Sequence, residues 1–218
     1  MRLIKMLGLA AIAVGAFMAF LGASSASATP LEEVVVCKVL QDPCSSSNHL
    51  GNGTILHGLA SNPVLLAPGD DVFCSHSEVE GEIESLLAHG LIEEVTFTGC
   101  ERGGEECTVS VNNEPFLAKG ELKSTDSGYE ILVTKPGSRP QANINCPGIN
   151  CNFGANTILF EYLDPSSGAL AVLDVLQDLS GEGGLCVFLS GTWHAQYTTS
   201  CLESTNPGTT VDCWLAME

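Results

Sequence analysis

Val95-Thr96-Phe97-Thr98-Gly99-Cys100-Glu101-Arg102-Gly103-Gly104-Glu105-Glu106-Cys107-Thr108-Val109-Ser110-Val111 is the stretch that decides how this chain is read. Two runs of β-branched and aromatic residues alternate with small polar ones. Each run carries a cysteine at its inner end, and glycines lie between them. A period of two is the signature of a strand with one buried face. A short glycine-containing connection between two such runs is a turn.

The same grammar continues outward in both directions. Glu33 to Leu40, Thr54 to Leu59, Val72 to Ile83 and Ile92 to Gly99 read as strands. So do Phe116 to Leu122, Tyr129 to Thr134, Thr157 to Leu163, Ala169 to Leu176 and Gly191 to Thr199. Turn residues separate them at Asn112-Asn113, Asp126-Ser127-Gly128, Pro136-Gly137 and Asp164-Pro165. Short strands at this spacing predict an all-β fold, an antiparallel β-sandwich or barrel. Helical alternatives stay open at Glu80 to Ala88, which Gly81 interrupts, and at Leu170 to Leu179.

The first residues form an export leader. Arg2 and Lys5 supply the positive end, Met6 to Ala23 is an apolar run, and Ala26-Ser27-Ala28 is an A-x-A cleavage site. The reading is a signal-peptide helix over 1–28 and a single secreted β-rich domain over 29–218, with a loose C-terminal extension left open at 201–218. An uncleaved anchor would want about 20 consecutive apolar residues, and the small-residue cleavage site argues against it. No second long apolar run follows, so no integral membrane association is expected after cleavage. Localisation is therefore expected to be extracellular or at the cell surface.

Ten cysteines follow the leader: Cys37, Cys44, Cys74, Cys100, Cys107, Cys146, Cys151, Cys186, Cys201 and Cys213. An even number in an exported chain predicts a disulfide framework. Spacing does not fix the connectivity. Loop closure favours neighbours, which gives Cys37–Cys44, Cys100–Cys107, Cys146–Cys151 and Cys201–Cys213, and leaves Cys74–Cys186 as one long-range bond. Such a bond would tie together the two sides of the Pro- and Gly-rich stretch Lys135 to Pro140, where a domain split is otherwise conceivable. Zinc ligation is disfavoured, since Cys-x-x-Cys is absent and no histidine lies near Cys146 and Cys151.

Charge narrows the partners. The chain carries 26 acidic residues against 8 Lys and Arg, a formal charge of −18, and losing Arg2 and Lys5 makes it more acidic still. Such a surface repels phosphate backbones, so no nucleic acid partner is expected.

Candidate chemistry is thin. The nucleophile elbow G-x-S-x-G and the zinc motif H-E-x-x-H are absent. His49, His57, His76, His89 and His194 could serve a hydrolase only if folding brought one to a serine and a carboxylate. His194, between Trp193 and Tyr197, reads as a solvent-facing strand histidine beside a packed tryptophan. The acid pairs Glu93-Glu94, Glu105-Glu106 and Asp70-Asp71 raise the glycosidase pattern. Neighbours on a strand face opposite sides, however, so Glu93 and Glu94 should not share a cleft, and Asp70-Asp71 reads as turn chemistry. Aromatic residues are 6% of the chain, few for a carbohydrate site. Glu78, Glu80, Glu82 and Glu84 recur every second residue and should share one strand face. A calcium site would need roughly six to eight oxygens, and a solvated face accounts for them more simply. No catalytic residue, metal ligand or cofactor is assigned.

Several of these landmarks occur together in a known order. They are Cys37 and Cys44, Asn52-Gly53-Thr54, Cys74-Ser75, Val95-Thr96-Phe97-Thr98-Gly99-Cys100, Cys107-Thr108-Val109, the Cys146 to Cys151 hairpin and Trp193-His194-Ala195-Gln196-Tyr197. From Cys37 to Thr199 the chain resembles an uncharacterised group of secreted, cysteine-containing β-rich proteins of high-GC Gram-positive soil bacteria. The resemblance implies export and an all-β fold and brings no activity or site residues. The expected function is that of a secreted or cell-surface non-catalytic protein, structural, adhesive or ligand-binding, with a cell-envelope or polysaccharide partner. The alternative is an extracellular hydrolase whose site only the fold assembles.

Overall fold

A computed structural model describes residues 33–67, 70–85, 87–123, 128–163, 172–203 and 209–218. The leader reading lies outside these residues.

The strands are β1 (Val34–Cys37), β2 (Thr54–Ser61), β3 (Val64–Ala67), β4 (Asp70–Ile83), β5 (His89–Arg102), β6 (Glu105–Asn112), β7 (Phe116–Leu122) and β8 (Tyr129–Thr134). They continue as β9 (Gln141–Cys146), β10 (Ile149–Gly154), β11 (Thr157–Leu163), β12 (Val172–Glu182), β13 (Ser190–Leu202), β14 (Thr210–Val211) and β15 (Trp214–Met217). Every pairing is antiparallel.

Four short breaks hide a simpler plan. β2 and β3 are one pass of the chain kinked at Asn62-Pro63, and β6–β7, β8–β9 and β10–β11 are kinked passes of the same kind. Counted as passes, 54–67, 70–83, 89–102, 105–122, 129–146, 149–163, 172–182 and 190–202 each pair with the next, and the last returns to the first. The result is an up-and-down barrel of eight passes. Full closure leaves no edge strand in the ring.

The hydrophobic pattern makes the closure favourable. Leu173, Val175 and Leu179 of β12 and Trp193, Ala195, Tyr197 and Cys201 of β13 are buried, while Leu176, Asp178, His194 and Gln196 are exposed. The Glu78, Glu80, Glu82 and Glu84 series lies on the outer face, opposite the buried Ser77, Val79, Gly81 and Ile83. This apolar-in, charged-out order is the reverse of a membrane-spanning barrel. Among the described residues no helix is long and apolar enough to cross a membrane.

The two ends differ. At one end β1 and β15 pair with each other, and Val34, Val35, Val36, Trp214, Leu215 and Ala216 are buried, so this two-stranded cap is packed on both faces. Gly120 lets it settle: a Cβ there would lie 3.2 Å from Val34 Cγ1 of β1 and 2.6 Å from the Ala88 Cβ beside it. The other end carries the connections β5–β6, β9–β10 and β12–β13. Gly103 and Gly104 hold positive φ angles of 60° and 84° across the two-residue loop between Arg102 and Glu105, the type I′ geometry that matches strand twist.

All ten cysteines are bonded, and the pairs are Cys37–Cys44, Cys74–Cys100, Cys107–Cys146, Cys151–Cys186 and Cys201–Cys213. The expected Cys100–Cys107, Cys146–Cys151 and Cys74–Cys186 bonds are not formed. Register explains the difference. Cys100 lies opposite Cys74 on one side and Cys107 on the other, so it has two eligible neighbours and takes the earlier one. Cys107 then pairs with Cys146 across the β6–β9 ladder. Cys151 lies opposite Ile144, two places from Cys146, a diagonal too long for a disulfide.

Other expectations need correcting. Of the helical alternatives, Glu80 to Ile83 lies in β4 and Val172 to Leu179 in β12, whose facing partners reward an extended chain; 86 and 170–171 lie outside the described residues. The described residues of 201–218 are built into the fold: Cys201 and Leu202 belong to β13, β14 pairs with β13, and β15 is half of the cap. Glu93 and Glu94 are both exposed, because the β4–β5 register shifts at Glu80/Gly81 and a bulge breaks strict alternation. Asp70 and Asp71 open β4 rather than forming a turn.

Loop-closure entropy ranks the staples. Cys107–Cys146 spans 39 residues and Cys37–Cys44 spans 7, which corresponds to about 4 and about 2.5 kcal/mol. In denaturant titrations Cys107→Ala with Cys146→Ala should lose more stability than Cys37→Ala with Cys44→Ala, by about 1 kcal/mol or more. Non-reducing peptide mapping should recover a Cys74–Cys100 peptide. Recovery of a Cys100–Cys107 peptide instead would contradict the register.

Candidate functional site

Inside the barrel, side chains meet in two tiers. At the waist Phe97, Trp193, Phe160 and Tyr197 form an edge-to-face cluster with ring centroids 5.6 to 6.2 Å apart, geometry that the aromatic quadrupole favours. Tyr197 is almost wholly buried, and its hydroxyl meets Ser77 at 2.7 Å. Burial pushes this phenol far above its ordinary range, with the Ser77 bond opposing the shift in part.

Two cavities flank the waist, and Ile92 and Phe160 line both. The larger, about 80 Å³, lies beneath the cap against Val36, Trp214 and Leu215, and its lining is overwhelmingly apolar. The smaller, about 40 Å³, lies toward the hairpin end beside Phe153 and Trp193.

A lock holds the cap over the larger cavity. Tyr129 at the start of β8 donates to Asp42 Oδ2 at 2.5 Å, and the Met217 amide donates to Asp42 Oδ1 and to the Tyr129 oxygen, each at 3.1 Å. One phenol thereby joins the barrel wall, the N-terminal loop and the C-terminal strand. Burial pushes the Tyr129 phenol up, and Asp42 adds to the shift. Cys37–Cys44 closes the N-terminal loop, and Cys201–Cys213 ties the C-terminal strand to β13.

At the opposite end lies the most exposed apolar feature among the described residues. The 3-10 turn Gly184–Phe188 presents Leu185 and Phe188 at 84% and 83% exposure, with Val187 at 55%. Cys186 at its centre is bonded to Cys151 of β10, so the turn is anchored while its apolar tips face water. Such exposure marks an interaction site more often than a fold requirement.

The residues weighed from sequence for catalysis do not converge. His194 is exposed, as its sequence reading has it, with Nε2 3.9 Å from Asp174 Oδ1. His76 and His89 are exposed, His57 is half-buried on the outer face opposite Glu80, and His49 lies in the N-terminal loop against the Cys44 carbonyl. Among the described residues no group of three His, Cys, Asp or Glu could hold a metal ion. Sequence reasoning missed the apolar turn: Leu185, Val187, Phe188 and Leu189 carried no assignment, lying between the turn residues Gly181-Glu182-Gly183-Gly184 and the strand from Gly191.

Glu114 is the described carboxylate whose proton affinity stands out. It accepts the Val95 amide at 2.6 Å. Burial raises its pKa above 4.5, the Val95 bond opposes this, and Glu94 adds to the rise. The fold therefore favours the protonated form, and this contribution is present below pH 4.5 and lost as pH rises through the elevated value. Glu114→Gln keeps the acceptor and removes the charge. Its unfolding midpoint should match wild type near pH 3.5 and exceed it at pH 7; a pH-independent gap would contradict the assignment. Tyr129→Phe removes the lock's donor, while Asp42, which is exposed, stays hydrated. It should destabilise the cap by about 1 kcal/mol, read as faster amide exchange at Val35, Val36 and Leu215 with little change at Val175.

No family model, no curated protein and no solved structure matches the chain.

Proposed function

We propose that this chain is exported, with residues 1–28 as its signal peptide, and that it acts as a non-catalytic interaction protein outside the cell or on its surface. The observation that carries the reading is the apolar turn Gly184–Phe188, whose exposed Leu185, Val187 and Phe188 are held in place by Cys151–Cys186. Two things support that role. A disulfide restricts the turn before contact, so less conformational entropy is lost on binding. Three exposed apolar side chains within five residues form a patch of the kind that association covers.

Five disulfides suit an oxidising compartment, and the resemblance to secreted β-rich proteins points the same way. The partner is a cell-envelope component offering an apolar recess. A plain polysaccharide fits less well, because Phe188 is the one aromatic ring in the turn. The hydrolase alternative draws no support from the outward-facing histidines.

The test is a sedimentation assay of purified protein with cell walls, membranes and isolated envelope polysaccharide. Leu185→Ser with Phe188→Ser should weaken envelope binding at least tenfold. The fold should remain within about 0.5 kcal/mol of wild type, since both side chains are exposed. Equal binding by wild type and variant, or no binding to any fraction, would remove this reading.

A further inference from the structure

The cavity beneath the cap is independent of the apolar turn, which lies at the other end of the barrel. Eight passes enclose an interior just wide enough to be filled by side chains or to hold one small ligand, so which outcome applies is decided by the lining. Here the side chains fill the waist and stop short of the cap.

Gly58, in the middle of β2, carries the argument. A Cβ built there would touch Tyr197 at 3.5 Å and Val79 at 3.7 Å, ordinary contact distances with no clash. Glycine in mid-strand weakens a sheet and gives up packing. Gly81 and Gly90, which line the same cavity, are different: a Cβ would lie 2.5 Å from the Leu91 carbonyl oxygen and 2.2 Å from that of Glu82, so backbone approach requires them. At Gly58 nothing in the backbone forbids alanine. What glycine preserves there is space, and that space opens onto the cavity.

We infer that this cavity is a binding site for one compact apolar molecule, a short hydrocarbon chain or a single unsubstituted ring. Its 80 Å³ suits a few heavy atoms directly, against about 150 Å³ for an apolar cavity that takes benzene. A ring therefore needs the cap to yield. Charged and strongly polar molecules are excluded, since burying an unpaired polar group in such a lining is costly. The Tyr197 hydroxyl, already bonded to Ser77, keeps acceptor capacity for at most one polar group. Access runs past the cap, whose Tyr129–Asp42 lock sets how readily the ligand enters.

The probes are xenon and benzene, added to the full folded protein and followed by methyl and aromatic NMR shifts. A saturable response centred on Val79, Tyr197 and Leu215 is expected, at least tenfold weaker in Gly58→Val. That variant should be no less stable than wild type, because it fills space rather than creating it. Ala118→Leu fills the same cavity from β7 across the barrel and gives the same test should Gly58→Val fail to fold. No saturable response in the unmodified protein overturns the inference without any variant. Undiminished binding in a folded filling variant overturns it as well, and so does a response centred on Leu185 and Phe188.

Discussion

Closure of the sheet where β13 meets β2 and β3 is the constraint on which the rest depends. Thr198 to Leu202 lie in register with Leu59 to Ile55, and Thr192 to His194 with Leu66 to Val64. These contacts join the first pass to the last, so they form only after a long loop has been closed, at an entropic cost repaid late. Without the seam, passes 54–67 and 190–202 would both be free edges and the aromatic waist would open to water. With it, every inward side chain faces another across a bounded space, and the chain must fill that space or leave a cavity.

The disulfides follow from the same geometry. Cys74, Cys100, Cys107 and Cys146 form one row across four consecutive passes at the hairpin end, joined two by two, and Cys151 extends the row toward the Gly184–Phe188 turn. None of these bonds crosses the seam. They rigidify the half of the barrel that local hairpins already assemble. The seam itself is closed by hydrogen bonds and by the apolar interior, with Cys201–Cys213 and the Lys38–Glu203 ion pair anchoring the termini near it.

Much of this was legible in the residues. Phe116–Leu122, Tyr129–Thr134 and Thr157–Leu163 have the bounds that alternation predicts, because hydrophobic period and strand propensity agree there. β9 and β10 were harder. Their outward positions are asparagines, which strands disfavour, yet Asn143 bonds Asn150 and Asn152 across the ladder and supplies what propensity lacks. Disulfide pairing was illegible because it turns on register. A cysteine between two cysteine neighbours carries no mark of which it will take, and a slip of one residue would exchange every inward side chain for an outward one. The exposed turn was hidden for the opposite reason: Leu185, Val187 and Phe188 are the residues a core would use, and only the fold reveals that no core reaches them.

The ends of the barrel divide the remaining freedom. At the hairpin end, connections are short, tied by sulfur and unable to move far, which suits a surface that presents fixed apolar tips. At the cap end, β1 and β15 form one small sheet attached to the barrel by Tyr129, Asp42 and Met217, by the Ala88 amide on the Val34 carbonyl, and by its buried apolar side chains. Hydrogen bonds of this kind each contribute about 1 kcal/mol net, much less than a disulfide, and they break without altering covalent structure. Cys201–Cys213 joins the cap covalently to β13, and Cys37–Cys44 fixes the loop that carries Asp42 to β1. The hydrogen-bonded latch and the disulfide tether therefore both sit next to the space that the waist residues leave unfilled.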